Sequence, residues 1–162
     1  MSVDGSDFRA TADLADDQGD AVRSCDLSFQ SFGARRRFAG RIETVQCKED
    51  NVLVRELLST PAEGRVLVVD GGGSIRRALL GDEMAKIAIT NGWAGVIING
   101  AIRDSAVLNG MDIAIKAIGT NPRKSLKQRE GTVGAPLEFG GVVFNRGELL
   151  VSDEDGIVVL DE

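Results

Sequence analysis

The chain has no histidine and no tyrosine, and it has only two cysteines, three prolines and one tryptophan in 162 residues. Without histidine there is no Ser-His-Asp or Cys-His nucleophile system, no imidazole-bound zinc and no histidine general acid or base. Cys25 and Cys47 are too far apart for metal-finger spacing. They fit a reducing, cytoplasmic setting and structural or incidental roles. Aromatic residues are only 4% of the chain, so the core has to be aliphatic. No apolar run approaches the roughly 20 residues a membrane helix needs. Residues 1–20 are polar and acidic, with no signal-peptide core. The formal charge of −6 argues against a nucleic-acid binder, which carries a basic face.

What is present is an ordinary globular composition, 43% hydrophobic and 27% charged. The length suits one domain with a real core. A loose tail is expected over residues 1–10 and a single domain over 11–162. The 20 glycines point to tight turns and close backbone approaches. Two basic clusters, Arg35-Arg36-Arg37 and Arg123-Lys124 through Arg129, read as solvated loop charge.

Periodicity predicts a short acidic helix over residues 13–22, a strand over 38–47 and a helix over 52–59 capped by Asp50-Asn51. The apolar run 66–69 reads as a buried parallel strand. The turn Asp70-Gly71-Gly72-Gly73-Ser74 follows it, and residues 78–81 lead into a helix from about Asp82 to Asn91. A second buried strand starts at Ala94 and runs on to Arg103-Asp104. Strand, glycine turn, helix and strand make a βαβ unit. Its ligand edge should lie at the strand C-termini. A short helix after Asp104 and a strand over 113–118 come next. Residues 121–134 form a polar, basic loop, and the remainder is short strands. The middle is therefore α/β and the C-terminal half β-rich.

Twenty residues separate Asp82 from Arg103-Asp104. The helix starting at Gly81-Asp82-Glu83-Met84 offers unpartnered amides and a positive dipole end to a substrate carboxylate. Arg103 can donate to a carbonyl or enolate oxygen, and Asp104 is a hard ligand for Mg²⁺ or Mn²⁺. Asp82 could hold or deprotonate a water nearby. These parts suit C–C cleavage beside a 2-keto acid. On the residues alone, a structural ion pair between Arg103 and Asp104 is an equally good reading.

Longer motifs carry a resemblance. They include Leu67-Val68-Val69-Asp70-Gly71-Gly72-Gly73-Ser74, Ala78-Leu79-Leu80-Gly81-Asp82, Gly92-Trp93-Ala94-Gly95 and Asn99-Gly100-Ala101-Ile102-Arg103-Asp104. Phe38-Ala39-Gly40, Glu49-Asp50-Asn51, Gly119-Thr120-Asn121-Pro122 and Ser152-Asp153-Glu154-Asp155-Gly156 extend it. From about residue 11 the chain resembles the RraA-like family. That family joins the regulator of ribonuclease E activity A to the class II 4-hydroxy-4-methyl-2-oxoglutarate aldolases.

The resemblance implies a three-layer β/β/α, swivelling-domain-like α/β fold with a central parallel sheet and a second antiparallel sheet. It also implies a homotrimer with active sites near subunit interfaces. By motif, Gly81, Asp82, Glu83 and Met84 match the substrate-binding turn and Arg103 the substrate-binding arginine. Asp104 matches the metal ligand, and Asp82 the acid supporting the catalytic water. The implied activity is divalent-metal-dependent cleavage of 4-hydroxy-4-methyl-2-oxoglutarate to pyruvate, with oxaloacetate decarboxylation through the same enolate. The alternative is a non-catalytic protein that binds and inhibits a ribonuclease. Val107 stands where some members carry an acid.

Other motifs have plainer readings. Gly71-Gly72-Gly73 does not fit G-x-G-x-x-G and reads as a structural turn, although relatives have been labelled menaquinone methyltransferases. Lys86 or Lys116 could in principle form a Schiff base, and the pattern puts Lys86 on the surface. Trp93 reads as packing, and Asp153-Glu154-Asp155-Gly156 as a turn rather than a calcium loop.

Overall fold

The computed structural model describes residues 8–161. Of the expected tail over 1–10, residues 1–7 lie outside the described residues. Phe8 packs beside a buried cluster, and Arg9 pairs with Asp17.

The chain opens with α1 (Thr11–Gln18), a single 3₁₀ turn (Gly19–Ala21) and the short strands β1 (Arg23–Ser24) and β2 (Gln30–Phe32). Then come β3 (Phe38–Gln46), α2 (Val52–Leu58), β4 (Val66–Asp70), β5 (Ala78–Leu80), α3 (Asp82–Thr90) and β6 (Gly95–Ile102). The remaining elements are α4 (Ser105–Leu108), β7 (Ile115–Thr120), β8 (Thr132–Val133), β9 (Leu137–Phe139), β10 (Val142–Phe144), β11 (Leu149–Asp153) and β12 (Gly156–Leu160). No described helix is long and apolar enough to cross a membrane.

The strands form one curled mixed sheet in the order β1-β12-β11-β3-β4-β6-β7-β2, and β9 and β10 make a small separate hairpin. The run β3-β4-β6-β7 is parallel, while β11, β12 and β1 add on antiparallel. Strand β3 joins the two parts. Its residues 38–41 pair with β11 and its residues 42–46 with β4.

Alternation along the buried strands explains the layers, because successive side chains point to opposite faces. Leu67, Val69, Val96 and Ile98 face the helical side, with Leu53, Val54, Ala85 and Ala88. Val66, Val68 and Ile97 face the other way, against Phe139, Phe144, Leu150 and Val159. Burying both faces of β4 and β6 requires the apolar runs the sequence carries there.

Three expectations need adjustment. Ala78–Leu80 does lead into the helix, but as a strand of its own, β5, parallel to the end of β6. Its three buried residues are too short to show a period. Residues 121–134 are not wholly loop, since Thr132–Val133 pair with β3. Asn51 sits at the cap of α2 without a side-chain cap bond. Asp50 Oδ1 instead accepts from the Val52 amide at 3.1 Å.

The plainer readings fare well. Trp93 is buried and its Nε1 donates to the Leu58 carbonyl at 3.2 Å. Asp153-Glu154-Asp155-Gly156 is the β11–β12 turn, where Asp153 accepts from the amide and hydroxyl of Thr11 at 2.8 and 2.7 Å.

Candidate active-site cleft

Strand β5 ends at Leu80, and α3 starts two residues later. Parallel to β5, β6 ends at Ile102, so Gly81 and Arg103-Asp104 come side by side. The Arg103 amide donates to the Leu80 carbonyl at 3.0 Å and extends the pairing past the strand ends. Asp104 then takes a left-handed conformation, φ +59° and ψ +36°. That conformation is strained for most residues and tolerated by Asp. It turns the carboxylate back over Gly81.

There Asp104 Oδ2 accepts from the Asp82 amide at 3.0 Å. A Cβ on Gly81 would lie 2.6 Å from the same oxygen. Glycine at 81 is what lets Asp104 hold this position, through the close approach and not through backbone conformation, which is extended (φ −136°). The other Asp104 oxygen has no partner among the described residues. Arg103 does not pair with Asp104. Its Nη1 donates to the Pro122 carbonyl at 3.3 Å, and the rest of the guanidinium is free among the described residues.

Of the first amides of α3, Asp82 donates to Asp104 and Ala85 donates to the Gly81 carbonyl. The amides of Glu83 and Met84 have no acceptor among the described residues. These spare donors, Arg103 and the carboxylates of Asp82 and Asp104 share one open cleft of about 520 Å³. All six site residues expected from the sequence therefore meet, although Asp82 contributes its amide to Asp104 and not to the cleft.

The glycine turn between β4 and β5 differs. The amides of Gly71 and Gly73 both donate to the Asn99 carbonyl, at 3.0 and 3.2 Å. The Gly72 amide donates to Asp70 Oδ1 at 2.9 Å, and Ser74 to the Gly71 carbonyl at 3.3 Å. No amide of this turn is left for a phosphate.

Residues outside the sequence expectation complete the cleft. Asn51, Arg55, Lys124, Ser125 and Lys127, from α2 and its cap and from the loop after β7, line it too, as does Lys86 on α3. The chain over 124–128 is held down at several points. Ser125 Oγ donates to the Ala78 carbonyl at 2.7 Å, and the Leu126 amide to Glu49 at 2.8 Å. The Gln128 amide donates to the buried Asp50 carboxylate at 2.5 Å. Lys127 Nζ then reaches Asn51 Oδ1. The cations of the second basic cluster are exposed, as solvated loop charge should be, while the loop backbone that carries them is held in place. Lys116 lies elsewhere, 4% exposed, donating to the Asp153 carbonyl at 2.6 Å. Burial pushes its amine below the usual lysine range, against the pull of Asp153 and its acidic neighbours.

A divalent ion is tested by the donor set. No cluster of three or more His, Cys, Asp or Glu side chains suited to a metal occurs among the described residues. Asp104 offers one uncommitted carboxylate oxygen on an open cleft. That fits Mg²⁺ or Mn²⁺ keeping most of its waters and does not fit a site enclosed by protein ligands.

The family model described as Aldolase/RraA matches residues 11–159. A Geobacillus kaustophilus HTA426 structure titled as an S-adenosylmethionine:2-dimethylmenaquinone methyltransferase is 52% identical, with TM-score 0.93, over 95% of this chain and 96% of that one. The RNA-processing inhibitor RraA from Thermus thermophilis is 44% identical, with TM-score 0.92, over 95% and 93%. A Streptomyces coelicolor protein described as an unusual member of the RNase ES inhibitor RraA family is 29% identical, with TM-score 0.72, over 86% and 72%.

Proposed function

The chain belongs to the RraA-like family, and from that premise we propose that it is a divalent-metal-dependent carbon–carbon lyase acting on small 2-keto acids. Its substrates would be 4-hydroxy-4-methyl-2-oxoglutarate, cleaved to two pyruvates, and oxaloacetate, decarboxylated to pyruvate. The observation that carries the reading is the contact at Gly81. A residue with no side chain lets Asp104 lean on the start of α3, so that an acid, an arginine and two spare amides face one cleft.

The Glu83 and Met84 amides bind the substrate carboxylate, helped by the positive end of α3. Arg103 donates to the oxygen on which enolate charge develops, and stabilises the transition state more than the ground state. Asp104 would hold the metal ion, which when bound supplies a Lewis-acid sink for the electrons released beside the keto group. Asp82 holds a water that exchanges protons with the reacting atoms. In aldol cleavage the 4-hydroxyl loses its proton and its oxygen becomes a carbonyl as the C3–C4 bond breaks. The electron pair moves into the pyruvate enolate, which is then protonated at C3. The active assembly is a homotrimer with the cleft near a subunit boundary. Its setting is the cytoplasm.

A coupled assay of pyruvate release from both substrates, with and without EDTA, tests this. EDTA-sensitive turnover above the metal-only background is expected, and its absence sinks the lyase reading. The 44% identity to an RNA-processing inhibitor favours a second reading, a protein that binds and inhibits a ribonuclease. Direct binding to a purified ribonuclease that survives Asp104→Asn would support it, and no binding would remove it.

A further inference from the structure

Arg103 lies between two hollows. The cleft of about 520 Å³ opens on one side of it. A second hollow of about 290 Å³, walled by Ser105, Thr120, Asn121 and Pro122, opens on the other. The root of the side chain passes over Gly81, where a Cβ would come within 3.4 Å of its Cγ and 3.5 Å of its Nε. Beyond the root the residue is exposed. A long side chain between two open spaces gains little from packing, and rotamer entropy favours its release. Its tip has one polar contact among the described residues, from Nη1 to the Pro122 carbonyl at 3.3 Å.

The direction of that carbonyl is fixed from several sides. Proline locks its own φ and restricts the residue before it. Asn121 closes a turn around Pro122, since its Oδ1 accepts from the Arg123 amide at 2.9 Å. Asn favours this side-chain turn. The other end of the same side chain is tied down as well, Nδ2 donating to the Ile75 carbonyl at 2.8 Å. Ile75 in turn packs over β7, where a Cβ on Gly119 would sit 3.3 Å from its Cγ2. The Asn121 amide donates to the Ile102 carbonyl at 3.0 Å, one residue before Arg103, and the Arg123 carbonyl accepts from the Ala78 amide at 2.7 Å. Both flanks of Pro122 are thus bonded to β5 and β6, the strands that carry the site.

We propose that Asn121 is a positioning residue for Arg103: by closing the turn it aims the Pro122 carbonyl at the guanidinium and keeps Arg103 turned to the cleft instead of the hollow behind it. The proposal rests on the lyase reading above, in which Arg103 meets the enolate oxygen. The anchor uses one of the five guanidinium donors and leaves the others to the substrate. Orientation completed before the reaction lowers the barrier, so its loss falls on kcat.

The test joins side-chain dynamics to kinetics. ¹⁵N relaxation gives the order parameter of the Arg103 Nε–H bond, whose signal is identified by its loss in Arg103→Lys. Arg76 is the internal reference, an exposed arginine with its amide but not its guanidinium hydrogen-bonded among the described residues. Wild-type Arg103 should be more ordered than Arg76, and Asn121→Ala should bring it to the level of Arg76. Asn121→Ser keeps an oxygen for the Arg123 amide and should give a milder form of the same shift. Wild-type Arg103 as mobile as Arg76, or an order parameter unchanged in both variants, overturns the proposal. Oxaloacetate turnover per folded Asn121→Ala molecule should fall about tenfold in kcat, with KM within about twofold of wild type. In the Arg103→Lys background the same substitution should change kcat little. A second fall of about tenfold there marks a general structural role and contradicts positioning. If the wild type releases no pyruvate in an EDTA-sensitive way while Arg103 is ordered in it and released in Asn121→Ala, the lyase reading falls and the anchor stands.

Discussion

Two glycine-containing turns follow strand C-termini and differ in what they leave open. At Gly71–Ser74 every amide has a partner, and Asp70 and Asn99 close the turn. At Gly81–Met84 the partner is a carboxylate from the next strand, and the amides of Glu83 and Met84 are spare. The glycine-rich run attracts the eye as a phosphate loop and is structural. The single glycine before Asp82 lies where the spare donors are, at the proposed site. Unspent donors, and not glycine content, mark a site in this fold.

The largest effect should come from the open turn. Asp104→Asn keeps the left-handed backbone, which Asn also tolerates, and can still accept from the Asp82 amide. Pyruvate release should nevertheless fall about 10³-fold, near 4 kcal/mol of barrier, with little change in melting temperature. Gly81→Ala comes next. Its Cβ meets the end of a side chain and not backbone, so the chain folds and Asp104 swings aside, with an expected loss of about 10²-fold.

The closed turn should respond in stability only. Asp70→Ala leaves the Gly72 amide and the Asn99 side-chain amide without their acceptor. That costs about 1–2 kcal/mol, a few degrees of melting temperature, with turnover per folded molecule unchanged. A larger loss of activity than of stability would erase the distinction between the turns.

The smallest effect lies far from both, at Asp153. Burial opposes its ionisation, but the Thr11 amide and hydroxyl, the Asp155 amide and Lys116 outweigh it and hold the carboxyl below the usual range. A depressed carboxylate stabilises the fold above its unfolded value, near pH 4, and that stability is lost as pH falls through the folded value. Thr11→Val should weaken the protein at neutral pH and flatten its acid-side melting curve. An unchanged slope below pH 4 would show that the Thr11 contact does not set this titration.

Sequence reading reached the parallel strands, α2 and α3, because long apolar runs and a helix start are local signals, and it named six residues that the fold brings to one cleft. It missed β1, β2 and β5, strands of two or three residues that exist through pairing with distant partners. It also missed Asn51, Arg55, Lys124 and Lys127 as cleft residues. Arg55 lies on an exposed helical face, and the lysines sit in a loop whose path is set by Asp50 and Ala78, far away in sequence. The run of cations over residues 123–129 was the one available signal.

The comparison reduces to one assay, initial rates of pyruvate release from oxaloacetate in Mg²⁺ for wild type, Gly81→Ala and Gly73→Ala. Gly73 has a φ of +77°, and a Cβ there would meet only Asn99 Oδ1, at an ordinary 3.8 Å, so alanine costs about 1 kcal/mol of stability. The account predicts that Gly73→Ala keeps the wild-type rate and Gly81→Ala loses about 10²-fold. Equal rates in the two variants, or a loss confined to Gly73→Ala, would contradict it.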